Sequence, residues 1–173
     1  MKKIVYLDFD DFNEYSNRLD WLWMLTHEFP NFKVNLFAIP TLCSNKFLEY
    51  IQTNLKWVNL CVHGYEHKNN EEVSRGILGA YCPDVGFSKV YRAPYWQLSD
   101  LMYKRLKDFD YKIMLHPDDT REGIKYNWNI KDSPPNRKIL FGHGHIQDTQ
   151  GNGLVEAFGN IMKLPKNTKF KFF

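Results

Sequence analysis

The chain has 173 residues, of which 43% are hydrophobic and 16% aromatic, enough to bury a core and too apolar for a disordered segment. Its 23 basic and 20 acidic side chains leave a net charge of +3, too mild a surplus to point to nucleic acid or a membrane surface as a partner. Three cysteines, Cys43, Cys61 and Cys82, are odd in number and show no Cys-x-x-Cys spacing, which argues against a disulfide framework or a thiolate zinc site and fits a reducing compartment. Met1-Lys2-Lys3 runs into a short strand-like segment and not into the apolar stretch of a signal peptide. No window approaches the roughly 18 apolar residues of a membrane span. The expectation is a soluble, cytoplasmic protein with one domain over residues 1–173.

Strand-like and helix-like segments alternate along the chain. Residues 4–9 read as a buried strand that ends in Asp8-Phe9-Asp10-Asp11. The spacing predicts a helix over 17–28, with Leu19, Leu22, Trp23 and Leu25 on its apolar stripe. A strand over Lys33–Ile39 stops at Pro40, and Ser44 is placed to cap a helix carrying Phe47, Leu48, Ile51 and Leu55. A third strand, Trp57–Val62, runs into His63-Gly64-Tyr65-Glu66-His67. Residues 70–80 fit a short helix, and Lys89–Arg92 a strand closed by Ala93-Pro94-Tyr95-Trp96. Ser99 caps a helix with Leu101, Met102, Leu106 and Phe109 in register. Strands follow at Tyr111–Leu115, weakly at Ile124–Trp128, and at Lys138–Phe141, the last ending in Gly142-His143-Gly144-His145. A helix over 153–163 and a short strand over 168–173 complete the reading.

Such βα alternation predicts a parallel sheet, as an open wound sheet or a barrel, and in both the function gathers at the carboxyl ends of the strands. The aspartates, both histidine clusters and Arg92-Ala93-Pro94-Tyr95 all fall at predicted strand ends. Neighbouring carboxylates repel one another, so a fold keeps them with a cation, with protonation or in full solvent. His63 and His67, four residues apart, would share one face of a helical turn and hold one ion. Two imidazoles and one carboxylate leave coordination positions open, as a metal that activates water requires. One aspartate would be the ligand and a second the proton acceptor. Arg92 is a suitable partner for that base, the Tyr95 amide a candidate oxyanion donor, and His143 or His145 a candidate general acid. Zinc suits the ligand set, and cobalt, nickel or iron would also fit.

In order along the chain, these motifs resemble those of the polysaccharide deacetylase family, the NodB-homology domains of carbohydrate esterase family four. Asp8-Phe9-Asp10-Asp11 is similar to that family's Thr-Phe-Asp-Asp, which makes Asp10 the base and Asp11 the metal ligand. His63 and His67 match its His-Ser/Thr-x-x-His, as the imidazole ligands. Arg92-Ala93-Pro94-Tyr95 matches Arg-x-Pro-Tyr, so Arg92 would orient the base and Tyr95 would lend its amide. Phe141-Gly142-His143 fits the hydrophobic-x-His that carries the general acid, with His145 competing for that role or contacting substrate. Trp128 is the candidate for the pocket-wall tryptophan of the fourth motif, and Trp96 would narrow the groove. The resemblance implies an irregular (β/α) barrel of about seven strands and metal-dependent removal of an N-acetyl or O-acetyl group from a sugar or glycan. A non-sugar amide or ester, or a weakly catalytic sugar-binding module with aromatic platforms, are the alternative readings.

Four departures from the family pattern stand out. Asp8 replaces Thr, Gly64 replaces Ser or Thr, and Trp96 follows Tyr95 where a small residue is common. Asn127 stands where the family has the acidic residue that charges the general-acid histidine, which leaves Asp118, Asp119 or Asp132 as substitutes.

Overall fold

A computed structural model of the chain describes residues 2–147 and 151–173. Strand β1 (Ile4–Phe12) lies at the centre of the sheet and pairs with three others. β2 (Val34–Ala38), β3 (Val58–Val62), β4 (Val90–Arg92), β5 (Lys112–Leu115) and β6 (Ile124–Lys125) continue outward on one side. β8 (Ile139–His145) and then β7 (Trp128–Asn129) lie on the other, and β9 (Lys169–Phe170) pairs with the start of β1. The pairings within this sheet are parallel, and it curls into a half-barrel with helices outside. The helices are α1 (Leu19–Glu28), α2 (Asn45–Asn54), α3 (Arg75–Val85), α4 (Asp100–Asp108) and α5 (Leu154–Ile161).

Six longer strands and three two-residue pieces, β6, β7 and β9, make nine where about seven are expected. The single weak strand expected over Ile124–Trp128 is in fact two. Ile124–Lys125 pairs with β5, whereas Trp128–Asn129 pairs with β8 at the opposite edge. Two residues, Tyr126 and Asn127, join the two pieces, and so short a connection spans at most about 10 Å. The edges of the sheet are therefore drawn together, and the half-barrel all but closes on itself.

Alternation along β1 sorts its side chains. Val5, Leu7 and Phe9 pack outward with Leu22 and Leu25 of α1 and Ile51 of α2 in the main core. Tyr6, Asp8 and Asp10 face inward. The interior also holds Phe37, Cys61, Val90 and Met114, with Phe173 packed against them. Tyr6 stacks there on Phe141 and Phe173. The interior is mixed: Asn59 donates to Asn35 at 3.0 Å beside these apolar side chains, and the charged groups gather at the carboxyl rim.

The helix caps follow the sequence reading: the Phe47 amide donates to the Ser44 hydroxyl at 3.2 Å and the Met102 amide to that of Ser99 at 3.1 Å. Leu22 and Leu25 of α1 are buried, but Trp23 is 56% exposed and lies edge-on to His27, so the stripe is narrower than predicted. Likewise, Met102 and Leu106 anchor α4 while Leu101 faces solvent. Among the described residues no helix is long and apolar enough to cross a membrane.

Candidate active site

A regular strand would send Asp10 and Asp11 to opposite faces. The β1–β2 register slips between Phe9 and Phe12, and Asp11 takes a left-handed φ of 63°. This irregularity turns both carboxylates into the same cavity, the use to which bulges near active sites are commonly put. Asp11 Oδ1 comes within 3.5 Å of His63 Nε2 and 3.0 Å of His67 Nε2.

The two histidines do not share a helical turn, as their spacing predicts. Residues 63–67 form a loop in which Gly64 (φ 70°) and His67 (φ 61°) are left-handed, and this loop brings the rings to 4.9 Å. A Cβ on Gly64 would lie 2.3 Å from Glu71 Oε2 and 2.7 Å from Pro94 Cγ, so there is no room for the family's Ser or Thr. Glu71, which sequence reasoning passed over, holds the loop by accepting from the Tyr65 and Glu66 amides at 2.9 and 2.7 Å. Only the three-dimensional structure exposes that role, because nothing in Asn70-Glu71-Glu72 marks it out.

Asp11, His63 and His67 fit a divalent cation. Each offers a ligand atom within 4.8 Å of the others. Asp11 Oδ1 is buried and makes no hydrogen bond of good geometry, an arrangement better suited to an ion than to a proton. Burial raises the Asp11 carboxyl, but the His63 and His67 contacts outweigh it and hold it well below the usual carboxylate range. Burial likewise opposes charge on His63, and the Asp10 and Asp11 carboxylates outweigh that and raise it.

Beneath this cluster lies Arg92, fully buried at the end of β4. Its Nη1 donates to Asp8 Oδ1 at 2.6 Å and to Asp10 Oδ1 at 2.5 Å. Its guanidinium is sandwiched between Phe37, 4.2 Å away, and Trp96, 4.7 Å away. Burial disfavours both charges, yet Arg92 holds the Asp10 carboxyl below its ordinary range, and the two aspartates hold Arg92 firmly cationic. Three carboxylates against one guanidinium leave two negative charges, which one divalent ion balances. Asp10, His143 and His145 also converge within 4.8 Å of one another. Arg92 Nη1, 2.5 Å from Asp10 and 3.0 Å from His143 Nδ1, already supplies the cation there.

A cavity of about 350 Å³ opens over these groups, lined by Asp10, Asp11, His63, His67, Tyr95, Trp96 and His145. Tyr95 and Trp96 are left-handed (φ 54° and 60°), two strained residues in succession. Trp96 and Gln97 amides donate to Ala93 and Pro94 carbonyls, whereas the Tyr95 amide donates to no backbone carbonyl among the described residues. His145 is on the cavity wall, and burial pushes its imidazole down. His143 is not part of that lining: it is 3% exposed, next to Asp8 and Arg92, with Trp96, Tyr126 and His145 around its ring at 5.1–5.2 Å. A larger depression, about 650 Å³, lies by the amino ends of β4 and β5 and has no histidine in its lining.

Trp128 is a correction. It is 2% exposed and belongs to the main core, its ring over Gly142 and its Nε1 donating to the Asp132 carbonyl at 3.0 Å. It lies apart from the cavity because β7 turns that position outward. Tyr126, two residues earlier, faces His143 and Trp96 instead, with His116 beside it.

No family model matches the sequence, and no curated protein sequence does. Solved structures match over nearly the whole chain. A family 4 carbohydrate esterase from Streptomyces lividans shares 12% identity at a TM-score of 0.64, over 98% of this chain and 92% of that one. A chitin deacetylase from the fungal pathogen Colletotrichum lindemuthianum shares 14% at 0.63, over 98% and 84%. A family 4 acetyl xylan esterase from Clostridium thermocellum, in complex with a cobalt ion, shares 12% at 0.61, over 98% and 88%. Strand order, rim placement and these likenesses together give the chain the NodB-like polysaccharide-deacetylase fold of the family 4 carbohydrate esterases.

Proposed function

We propose that the chain is a metal-dependent hydrolase that removes an acetyl group, most simply an N-acetyl group, from a sugar or glycan, and that residues 1–173 act as one catalytic domain. The observation that carries this reading is the pairing of two aspartates with two jobs: Asp11 faces the Nε2 atoms of His63 and His67, while Asp10 is kept ionised against Arg92. A divalent ion held by Asp11, His63 and His67, zinc for preference and cobalt, nickel or iron as alternatives, would lower the pKa of water and polarise the acyl carbonyl.

The remaining work falls to the chain. Asp10 takes the proton from the attacking water, and Arg92 keeps that carboxylate charged and aimed. The Tyr95 amide donates to the developing oxyanion. His143 protonates the leaving nitrogen, and His145 and Trp96 contact the sugar from the wall. Chitin deacetylase and acetyl xylan esterase structures of the same fold support an acetylated carbohydrate as the substrate class. A reducing, cytoplasmic setting is part of the reading. It is supported by free thiols at Cys43 and Cys61, the latter buried and pushed up to about 12.

The test pairs metal analysis with turnover. Purified protein should carry about one equivalent of a divalent transition metal, lose it in His63→Ala, and release acetate from N-acetylglucosamine oligomers. Bound metal without acetate release, from these oligomers or from acetylated xylan, would redirect the reading to a non-sugar amide or ester. No metal after reconstitution would leave a sugar-binding module as the better account.

A further inference from the structure

Three atoms form a close triangle: Arg92 Nη1, Asp8 Oδ1 and His143 Nδ1, at 2.6, 2.9 and 3.0 Å. A guanidinium Nη1 carries two hydrogens. Here one goes to Asp8 Oδ1 and the other to Asp10 Oδ1, so none remains for His143. A carboxylate oxygen can only accept. The 2.9 Å contact between Asp8 Oδ1 and His143 Nδ1 therefore needs its proton on Nδ1. A proton on Nε2 alone would set the Nδ1 lone pair against the carboxylate in a buried site, where such repulsion is costly.

We propose that Asp8 is a positioning residue, fixing His143 with Nδ1–H toward β1 so that Nε2 is the nitrogen that exchanges a proton with substrate. The register supports this, because Asp8 and His143 are direct partners on adjacent parallel strands and both point inward. No other described carboxylate serves. Among the described residues Asp8 is the one carboxylate within 4.0 Å of a His143 ring nitrogen, whereas Asp118 faces His116 at 3.3 Å, Asp119 forks onto Arg121 and Asp132 is exposed. Asn127, at the position where the charge is expected, instead accepts from the Phe141 amide at 3.0 Å and so ties the seam to β8. The carboxylate absent at residue 127 has moved across the sheet to residue 8, which accounts for two departures from the family pattern at once.

The proposal rests on the deacetylase reading for its chemistry. Water gives one proton to Asp10 and its hydroxyl to the acyl carbon. The carbon–nitrogen bond then breaks, and the nitrogen takes the Nε2 proton of His143 in its imidazolium form, which leaves the neutral ring with the Nδ1–H that Asp8 holds. Asp10 and His143 return to their starting states by exchange with solvent, so no further reactant is needed.

The test has a readout independent of turnover. In full-length protein labelled with ¹⁵N-histidine, long-range ¹H–¹⁵N spectra report which ring nitrogen is protonated, and His143→Gln assigns the signal. The wild type should show His143 protonated on Nδ1, in metal-free and zinc-loaded protein alike. Asp8→Asn should lose that preference and lower kcat on acetylated oligomers roughly 100-fold or more with its zinc content unchanged. A wild-type His143 protonated on Nε2 alone, or an Asp8→Asn spectrum identical to it, overturns the proposal. Should Asp8→Asn not fold, Asp8→Thr carries the same comparison. If the protein turns over no acetylated sugar, the function proposed above fails while the spectra still decide the role of Asp8.

Discussion

His63 Nδ1 donates to the main-chain oxygen of Arg92 at 3.1 Å. One hydrogen bond thus ties a candidate metal ligand to the strand that carries the buried guanidinium. A carbonyl oxygen cannot donate, so the proton sits on Nδ1 and the Nε2 lone pair is left facing Asp11. The ligand is set in its metal-binding tautomer before any ion arrives, as outer-sphere partners commonly arrange.

The loop that carries the second ligand depends on Glu71. Glu71→Ala removes both acceptors from the Tyr65 and Glu66 amides and should weaken zinc affinity by about 10–100-fold, read by calorimetry or competition with a chelator. Gly64→Ala combines a left-handed φ with a Cβ clash against the same carboxylate, and should do at least as much. Unchanged affinity in both variants would mean that the loop is held in place by other contacts.

Metal-free stability should peak on the acid side of neutrality. The Asp10 and Asp11 carboxyls are lowered in the fold, so what they contribute is present above an ordinary pKa near 3.8 and fades as pH falls below it. His63 is raised, so its contribution is full below an ordinary value near 6.5 and is lost as pH rises through its folded value. Thermal melts of the metal-free protein should therefore decline as pH rises above about 6.5. Zinc needs the deprotonated imidazole, so the rise in Tm on adding zinc should grow over the same interval. A stabilisation by zinc that shrinks with rising pH would contradict the ligand set.

Arg92→Ala leaves Asp8 and Asp10 buried without their cation. Breaking a buried pair in this way costs about 3–5 kcal/mol, which denaturant titration will resolve. Arg92→Lys can restore charge but not the flat group between Phe37 and Trp96, and it should recover only part of the loss. A loss below about 1 kcal/mol for the alanine variant would show that the charges find water in its absence.

Trp128 and Tyr126 should separate stability from substrate contact. Trp128→Ala opens a core cavity and should cost about 3–5 kcal/mol with little change in KM in the protein that remains folded. Tyr126→Ala, at the rim beside Trp96 and His143, should raise KM with a smaller effect on stability. The reverse pattern would return the pocket wall to Trp128.

Much of this arrangement was legible from residues alone. Alternation placed α1, α2, α4 and α5 on the correct segments, with Ser44 and Ser99 as caps, while the helix expected over 70–80 runs Arg75–Val85; the strand ends gathered Asp10, Asp11, His63, Arg92 and His143 on one rim. What escaped depended on departures from regular backbone. A four-residue spacing reads as a helical face, and nothing local shows that Gly64 and His67 will adopt left-handed φ values and converge as a loop instead. Strand alternation sends Asp11 away from Asp10 unless a register slip is known. Trp128 and Tyr126 exchanged places for the same reason: where an expected strand breaks into two, the parity of the faces changes at the break. Asp8 read only as a departure from the family's Thr, because only the folded register shows it turned to His143.

The join at Tyr126-Asn127 has a consequence for how such a protein can diversify. Lys125 belongs to one margin of the sheet and Trp128 to the other, so the number of residues between them sets how far the margins can part. An extra residue inserted there lengthens the circumference at the rim without touching β1 or β4, which carry the aspartates and Arg92. The mouth of the cavity can thus be tailored to bulkier acyl acceptors by a change of chain length, with Asp10, Asp11 and Arg92 left in place and only the Tyr126 and Asn127 contacts to β8 redrawn.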